Sequence, residues 1–71
     1  SYTNKLLSDK SLSKSKVLEE INELIEAVEK DTNKVHEAAD VFYHLIIYLE
    51  AHNIKIEDIE VELEKRKKSN E

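Results

Sequence analysis

The chain has 71 residues, 39% hydrophobic and 38% charged, with a formal net charge of −5 and no Gly, Pro or Cys. That length allows one domain, the missing Cys excludes disulfides and cysteinyl zinc sites, and the acidic balance excludes the basic surface that duplex nucleic acid requires. The longest apolar run, Leu45-Ile46-Ile47-Tyr48-Leu49, is far short of the ~20 residues of a membrane span.

The N-terminus has no apolar secretory stretch, so a cytoplasmic protein is expected. It begins at Ser1 rather than Met, and the expectation is a processed, trimmed or longer protein. Without Gly or Pro nothing interrupts a helix, and the apolar residues recur periodically, so residues 1–71 read as a single all-α domain. A chain this short draws only about 3–5 kcal/mol from its own core. The expected architecture is therefore a four-helix-like bundle completed by oligomerisation, at least a dimer.

Residues 1–8 hold Tyr2, Leu6 and Leu7 and predict a short helix docked on the rest. The Ser- and Lys-rich residues 8–15 read as a loop. A helix is predicted from Ser15 or Lys16 to Lys30, its apolar side made of Val17, Leu18, Ile21, Leu24, Ile25 and Val28. Asp31-Thr32-Asn33 ends it, and Thr32 or Asn33 can cap the next helix.

That next helix is predicted to run to His52, with Asn53 as a left-handed cap. Its apolar side chains cover roughly three quarters of the wheel at ~100° per residue, so burial on nearly all sides is expected, with Tyr43 and Tyr48 in the core. A last helix is predicted from Ile56 to Lys67 with Ile56, Ile59 and Leu63 inward, followed by a frayed tail over 67–71. Its acids lie early and its bases late, as the helix dipole favours.

The chemistry-bearing residues are two acidic pairs. Glu20 and Glu23 lie in the run EEINE, and Glu37 and Asp40 in EAAD. A spacing of three places each pair on one side of its helix. Either run alone reads as an ordinary solvated face. Together they carry more weight, because Glu37, Asp40 and His44 share the one narrow polar strip of the second long helix. On the first, Glu20 and Glu23 align with Ala27, whose small side chain leaves room for a ligand. Two carboxylates ~4 Å apart repel by ~4 kcal/mol at an effective dielectric of 20. A hard cation removes that penalty, and oxygen donors suit Mg²⁺, with Mn²⁺ as the alternative. His36 and His52 read as surface residues at helix ends. Lys5, Lys14 and Lys16 precede the first acidic pair and can meet substrate phosphates, or simply balance charge.

At these motifs the chain resembles the phosphoribosyl-ATP pyrophosphatase branch of the all-α (MazG-like) NTP pyrophosphatases, marked by E-E-x-x-E and then E-x-x-D. Here the acids are Glu19, Glu20 and Glu23, then Glu37 and Asp40, with 13 residues between Glu23 and Glu37. SYTNKLL, KVLEE, EAADVFYHLIIYL and NIKIEDIEVELEKR are similar to further family segments, so the likeness covers nearly the whole chain.

The resemblance implies Mg²⁺-dependent hydrolysis of phosphoribosyl-ATP to phosphoribosyl-AMP and pyrophosphate in histidine biosynthesis. It implies Glu20, Glu23, Glu37 and Asp40 as metal ligands. Glu19 is the implied base or outer-sphere ligand, with the roles of Glu19 and Glu20 exchangeable. Tyr2, Thr3, Lys5, Lys16 and His44 are the implied substrate contacts. Leu18 and Asn53 stand where the family has glycine, and Lys55 where it has a Ser cap. Leu18 is expected to narrow the space beside the acids. Family members usually carry a helix before the SYT segment, so this chain is expected to be a piece of a longer protein. Two rival readings are a pyrophosphatase of canonical or damaged (d)NTPs and a non-catalytic helical oligomerisation module.

Overall fold

In the computed structural model, which describes residues 1–69, four helices follow one another: α1 (Tyr2–Ser8), α2 (Lys10–Lys30), α3 (Lys34–Ala51) and α4 (Ile56–Ser69). No strand occurs among the described residues, so the all-α expectation holds. α2 and α3 are joined by a three-residue turn, residues 31–33, and pack along each other as an antiparallel hairpin; α1 lies against both.

The Ser/Lys-rich segment is helix, not loop. Asp9 sits in an extended conformation and its carboxylate accepts a hydrogen bond from the Leu12 amide at 3.0 Å, capping α2 from Lys10 onward. An acidic N-cap satisfies an amide that the helix itself leaves orphaned, and no Gly or Pro follows to stop propagation. Leu12 is half-buried and Ser13 is buried, so the first turns of α2 also pack.

Both long helices end on the same device. Asp31 and Asn53 adopt left-handed backbone angles (φ 55° and 59°). Beyond them the Thr32 amide reaches the Ala27 carbonyl at 3.0 Å and the Ile54 amide reaches Leu49 at 2.9 Å. These backward bonds close the last helical turn where glycine is the usual residue. Asp and Asn tolerate this conformation best among the other residues, which is how the chain turns without Gly. Asn53 fulfils its expected role, one residue past the C-cap His52. Asn33 precedes α3, but it too is left-handed (φ 49°) and makes no side-chain cap bond, and Thr32 is not the N-cap. Lys55 supplies only its carbonyl to the start of α4, accepting from Asp58 and Ile59.

The core is small: Leu6, Ala27, Val41 and Ile47, with the polar Ser13, Glu20 and His44 among them. The second long helix is therefore not buried all round within one chain. Val41, His44 and Ile47 face inward, while Val35, Phe42 and Ile46 on the opposite side are exposed. Tyr43 is also exposed, and Tyr48, half-buried, lies against His52 with ring centroids 4.6 Å apart.

α4 barely touches the other helices, so Ile56 and Leu63 are exposed rather than inward and only Ile59 is half-covered. It continues through Lys67 to Ser69; the rest of the expected frayed tail, residues 70–71, lies outside the described residues. Leu18 is 54% exposed. On the helical wheel it points away from Glu20 and Glu23, so it does not narrow the acidic face of its own chain.

Candidate active site

Helix geometry gathers the acids in two steps. On α2, Lys16, Glu20, Glu23 and Ala27 fall within roughly 60° of the wheel, and on α3 Glu37, Asp40 and His44 do the same. The antiparallel hairpin then turns these two faces toward each other. Glu20, Glu23 and Glu37 each place a carboxylate oxygen within 4.8 Å of the others. On the α3 side, His36, Glu37 and Asp40 form a second set within the same limit, so Glu37 belongs to both.

Glu20 is the electrostatic centre of the group. It is 6% exposed, and its Oε2 has no hydrogen-bond partner; Oε2 of Glu37 is likewise buried and unpartnered. Burial raises the Glu20 pKa above the usual carboxylate range, and the neighbouring Glu23 and then the charge of Asp40 push it further up, while His44 opposes the shift. Lys16 offers partial relief. Its Nζ lies 2.6 Å from Glu19 Oε2 and 3.7 Å from Glu20 Oε1, and the hydrogen bond to Glu19 is the main cause of a raised Lys16 pKa. One lysine shared by two acids at the edge leaves Glu20 Oε2, Glu23 and Glu37 without a matching cation among the described residues, and only the imidazole of His36 lies near Asp40, at 3.4 Å. Unpaired buried carboxylate oxygens are costly, and a set of converging oxygens fits a hard divalent ion.

α1 is fastened beside these acids. The His44 ring is buried, its Nδ1 lying 2.8 Å from the Asp40 carbonyl and its Nε2 2.9 Å from the Tyr2 hydroxyl. A carbonyl only accepts, so Nδ1 carries the proton; in the neutral ring Nε2 then accepts from Tyr2. Thr3 Oγ1 and the Tyr43 hydroxyl lie 2.6 Å apart. Tyr43 also meets His44 edge-on at 5.0 Å. Both nitrogens of His44 are thus engaged within the chain, and Tyr2 and Thr3 are held by α3. Lys5 and Lys14 are exposed, whereas Lys16 is half-buried against the acids.

An open groove of about 350 Å³ adjoins the carboxylates at the α2–α3 turn, lined by Glu23, Ala27, Lys30, Thr32, Asn33 and Glu37 among others. Ala27 is small here, as its alignment with Glu20 and Glu23 led one to expect. Lys30, Thr32 and Asn33 were not legible as site residues. Read along the chain they only end one helix and start another, and folding the hairpin is what carries them beside Glu23 and Glu37.

Residues 1–67 match the family described as phosphoribosyl-ATP pyrophosphohydrolase. The chain belongs to that family. It is 49% identical over 71 residues to the phosphoribosyl-ATP pyrophosphatase of Clostridium acetobutylicum, covering 93% of this chain and 63% of that protein. With the phosphoribosyl-ATP pyrophosphatase of Clostridium novyi it shares 44% identity over 73 residues, 96% of this chain and 64% of the relative. The histidine biosynthesis bifunctional protein hisIE, chloroplastic, of Arabidopsis thaliana is 40% identical over 70 residues, 93% of this chain and 25% of the relative. The chain therefore spans less than two thirds of the length of these curated relatives. No solved structure matches it. No helix among the described residues is long and apolar enough to cross a membrane.

Proposed function

We propose that this domain hydrolyses phosphoribosyl-ATP to phosphoribosyl-AMP and pyrophosphate, a step of histidine biosynthesis in the cytoplasm, with Mg²⁺ held by Glu20, Glu23, Glu37 and Asp40. The observation that carries the reading is the pair of buried, unpartnered oxygens on Glu20 of α2 and Glu37 of α3, whose carboxylates gather with that of Glu23 where the two helices meet. Mg²⁺ bound there supplies polarisation of the phosphoanhydride and offsets charge on the leaving pyrophosphate.

The chain's own residues do the rest. Lys16 exchanges its carboxylate partners for a substrate phosphate. Glu19, released from Lys16 and half exposed, then accepts a proton from the attacking water as general base. Glu20 is the less suited base because its buried carboxylate is needed as a ligand. Tyr2 and Thr3 define the wall beside the ribose and phosphates. His44 serves that wall by holding Tyr2. Lys5 adds positive charge at the end of α1.

The same reading includes a second copy of the chain. Leu18, Ile21, Ile25 and Val28 form an apolar stripe on α2 facing away from the acids, and Phe42 and Ile46 do so on α3; all are exposed in the single chain. Contiguous apolar surface of this kind marks an association face, and stacking two hairpins on it produces the four-helix arrangement.

The decisive experiment is pyrophosphate release from phosphoribosyl-ATP, with ATP and dNTPs in parallel, in Mg²⁺ and in EDTA. Release from phosphoribosyl-ATP that needs Mg²⁺ and is lost in Glu23→Gln and Asp40→Asn is expected. Release mainly from dNTPs would move the substrate to canonical nucleotides. Wild-type turnover by either variant would remove the metal assignment.

A further inference from the structure

α4 is a helix without a packing partner. No described residue of it is buried, Ile59 is half-covered, and Ile56 and Leu63 are 43% and 57% exposed. A helix of 14 residues is marginal in water by itself, so its apolar side needs a surface to pack on. Its own chain does not supply one, since α4 scarcely meets α1, α2 or α3.

The back of α2 offers a matching surface. Lys14, Leu18, Ile21, Ile25 and Glu29 follow one another at spacings of four, three, four and four residues, a single line along the helix, and all five are exposed. Leu18 and Ile25 stand roughly 160–180° round the wheel from the buried Ala27, and Ile21 and Val28 roughly 100–120°. A second hairpin stacked on the apolar flank therefore covers Ile21 and Val28 first and leaves Leu18 and Ile25 at its rim. The apolar spacings agree: Leu18, Ile21 and Ile25 on α2 and Ile56, Ile59 and Leu63 on α4 both read i, i+3, i+7. That spacing lets two helices interlock side by side.

Charge selects the occupant and its direction. α4 opens on Glu57 and Asp58 and closes on Arg66, Lys67 and Lys68. The line on α2 opens on Lys14 and closes on Glu29. Laid parallel, the acids of α4 fall beside Lys14 and its bases beside Glu29. Laid antiparallel, like charges meet. Complementary charges at the ends of an apolar seam fix partner and orientation.

We propose that α4 of one copy packs in parallel on the back of α2 of a second copy, with Ile56, Ile59 and Leu63 seated over Leu18, Ile21 and Ile25. Each copy gives its α4 and receives the other's, as a two-fold contact requires. The exchange rests on the second copy of the function proposed above and on no part of its chemistry.

The chain has no Cys, so introduced thiols report the contact directly. Full-length copies with Ile25→Cys are mixed with copies carrying Leu63→Cys and mildly oxidised; Leu18→Cys with Ile56→Cys is the second pair. Covalent heterodimers are expected from both mixtures, and little from Ile25→Cys with Val61→Cys, because Val61 is exposed on the other side of α4. Leu63→Ala should raise the dimer dissociation constant by roughly tenfold or more, the effect of losing a buried leucine side chain from each copy. Links only between two Leu63→Cys copies would mean that α4 pairs with α4, and links of Leu18→Cys with Leu63→Cys instead would mean an antiparallel seating; either overturns the proposal. So does a link that closes within one chain carrying both Ile25→Cys and Leu63→Cys, which would place α4 on its own α2. A dimeric wild type that yields no link between positions 25 and 63 removes the exchange and leaves the second copy standing, whereas a monomeric wild type removes both.

Discussion

The Tyr2 hydroxyl and His44 Nε2 meet at 2.9 Å, tying the first turn of α1 to the middle of α3. Because His44 Nδ1 is already committed to the Asp40 carbonyl, Tyr2 is the partner on which the other nitrogen of a buried ring depends. Tyr2→Phe keeps the ring but strands that nitrogen. A loss of about 1–3 kcal/mol is expected, measured by urea unfolding followed by circular dichroism. Combining it with His44→Phe should show a coupling of about 0.5–3 kcal/mol, as for contacting residues; strict additivity would mean that the two do not act together.

Glu20→Gln should stabilise the metal-free protein while weakening Mg²⁺ binding. The folded-state pKa of Glu20 is raised, chiefly by burial and then by Glu23. The native state therefore holds its proton to higher pH than the unfolded chain, and the penalty of ionised Glu20 grows as pH rises through the folded pKa. Below the unfolded carboxylate pKa both states are protonated and this penalty is absent. At neutral pH a gain of about 1–3 kcal/mol is expected, the scale of one unpaired buried polar group. It should shrink as the pH is lowered through the carboxylate range. Unfolding curves at a series of pH values, with EDTA, measure it, and a variant no more stable than wild type at neutral pH would contradict the cause assigned to the shift.

Ile25→Glu probes the outer face of α2. Ile25 is 52% exposed in one chain, so a glutamate there costs a monomer little. Against a second apolar face the buried charge should weaken association by about 3 kcal/mol, roughly a hundredfold. Light scattering across a dilution series would show a dimer for wild type and a monomer for the variant. A monomeric wild type would remove the second copy from the proposed function.

Asn53→Gly should stabilise the chain by a few tenths to about 1 kcal/mol, because glycine adopts the left-handed conformation without steric cost. Asn53→Val should destabilise it by about 1–2 kcal/mol, since a β-branched residue resists that conformation. Chemical denaturation of the two variants beside wild type gives the comparison, and equal stabilities would mean that the turn at φ 59° carries no strain.

Local rules made much of this protein readable from its residues. The absence of Gly and Pro and the 3.6-residue periodicity gave the all-helical class, the ends of α2 and α3, and the pairing of acids on one side of each helix. Asn53 was legible because few residues without glycine's freedom accept a positive φ. The Ser/Lys segment misled because composition resembling a loop concealed the cap at Asp9, and a single carboxylate-to-amide bond was enough to start the helix early.

Other properties depend on which face meets which, and periodicity within one helix cannot encode that. It fixes the angle of Glu20 on α2 and of Glu37 on α3. Only the hairpin sets the two across from each other, leaves their oxygens without partners and brings Lys30, Thr32 and Asn33 alongside. The same holds for His44, polar in the sequence but buried because α1 folds Tyr2 over it. It holds also for Phe42 and Ile25, apolar yet exposed, since one chain has only enough helix to cover one side of α2 and α3. Burial and desolvation are properties of contacts between distant segments, and those arise only when the chain has closed on itself.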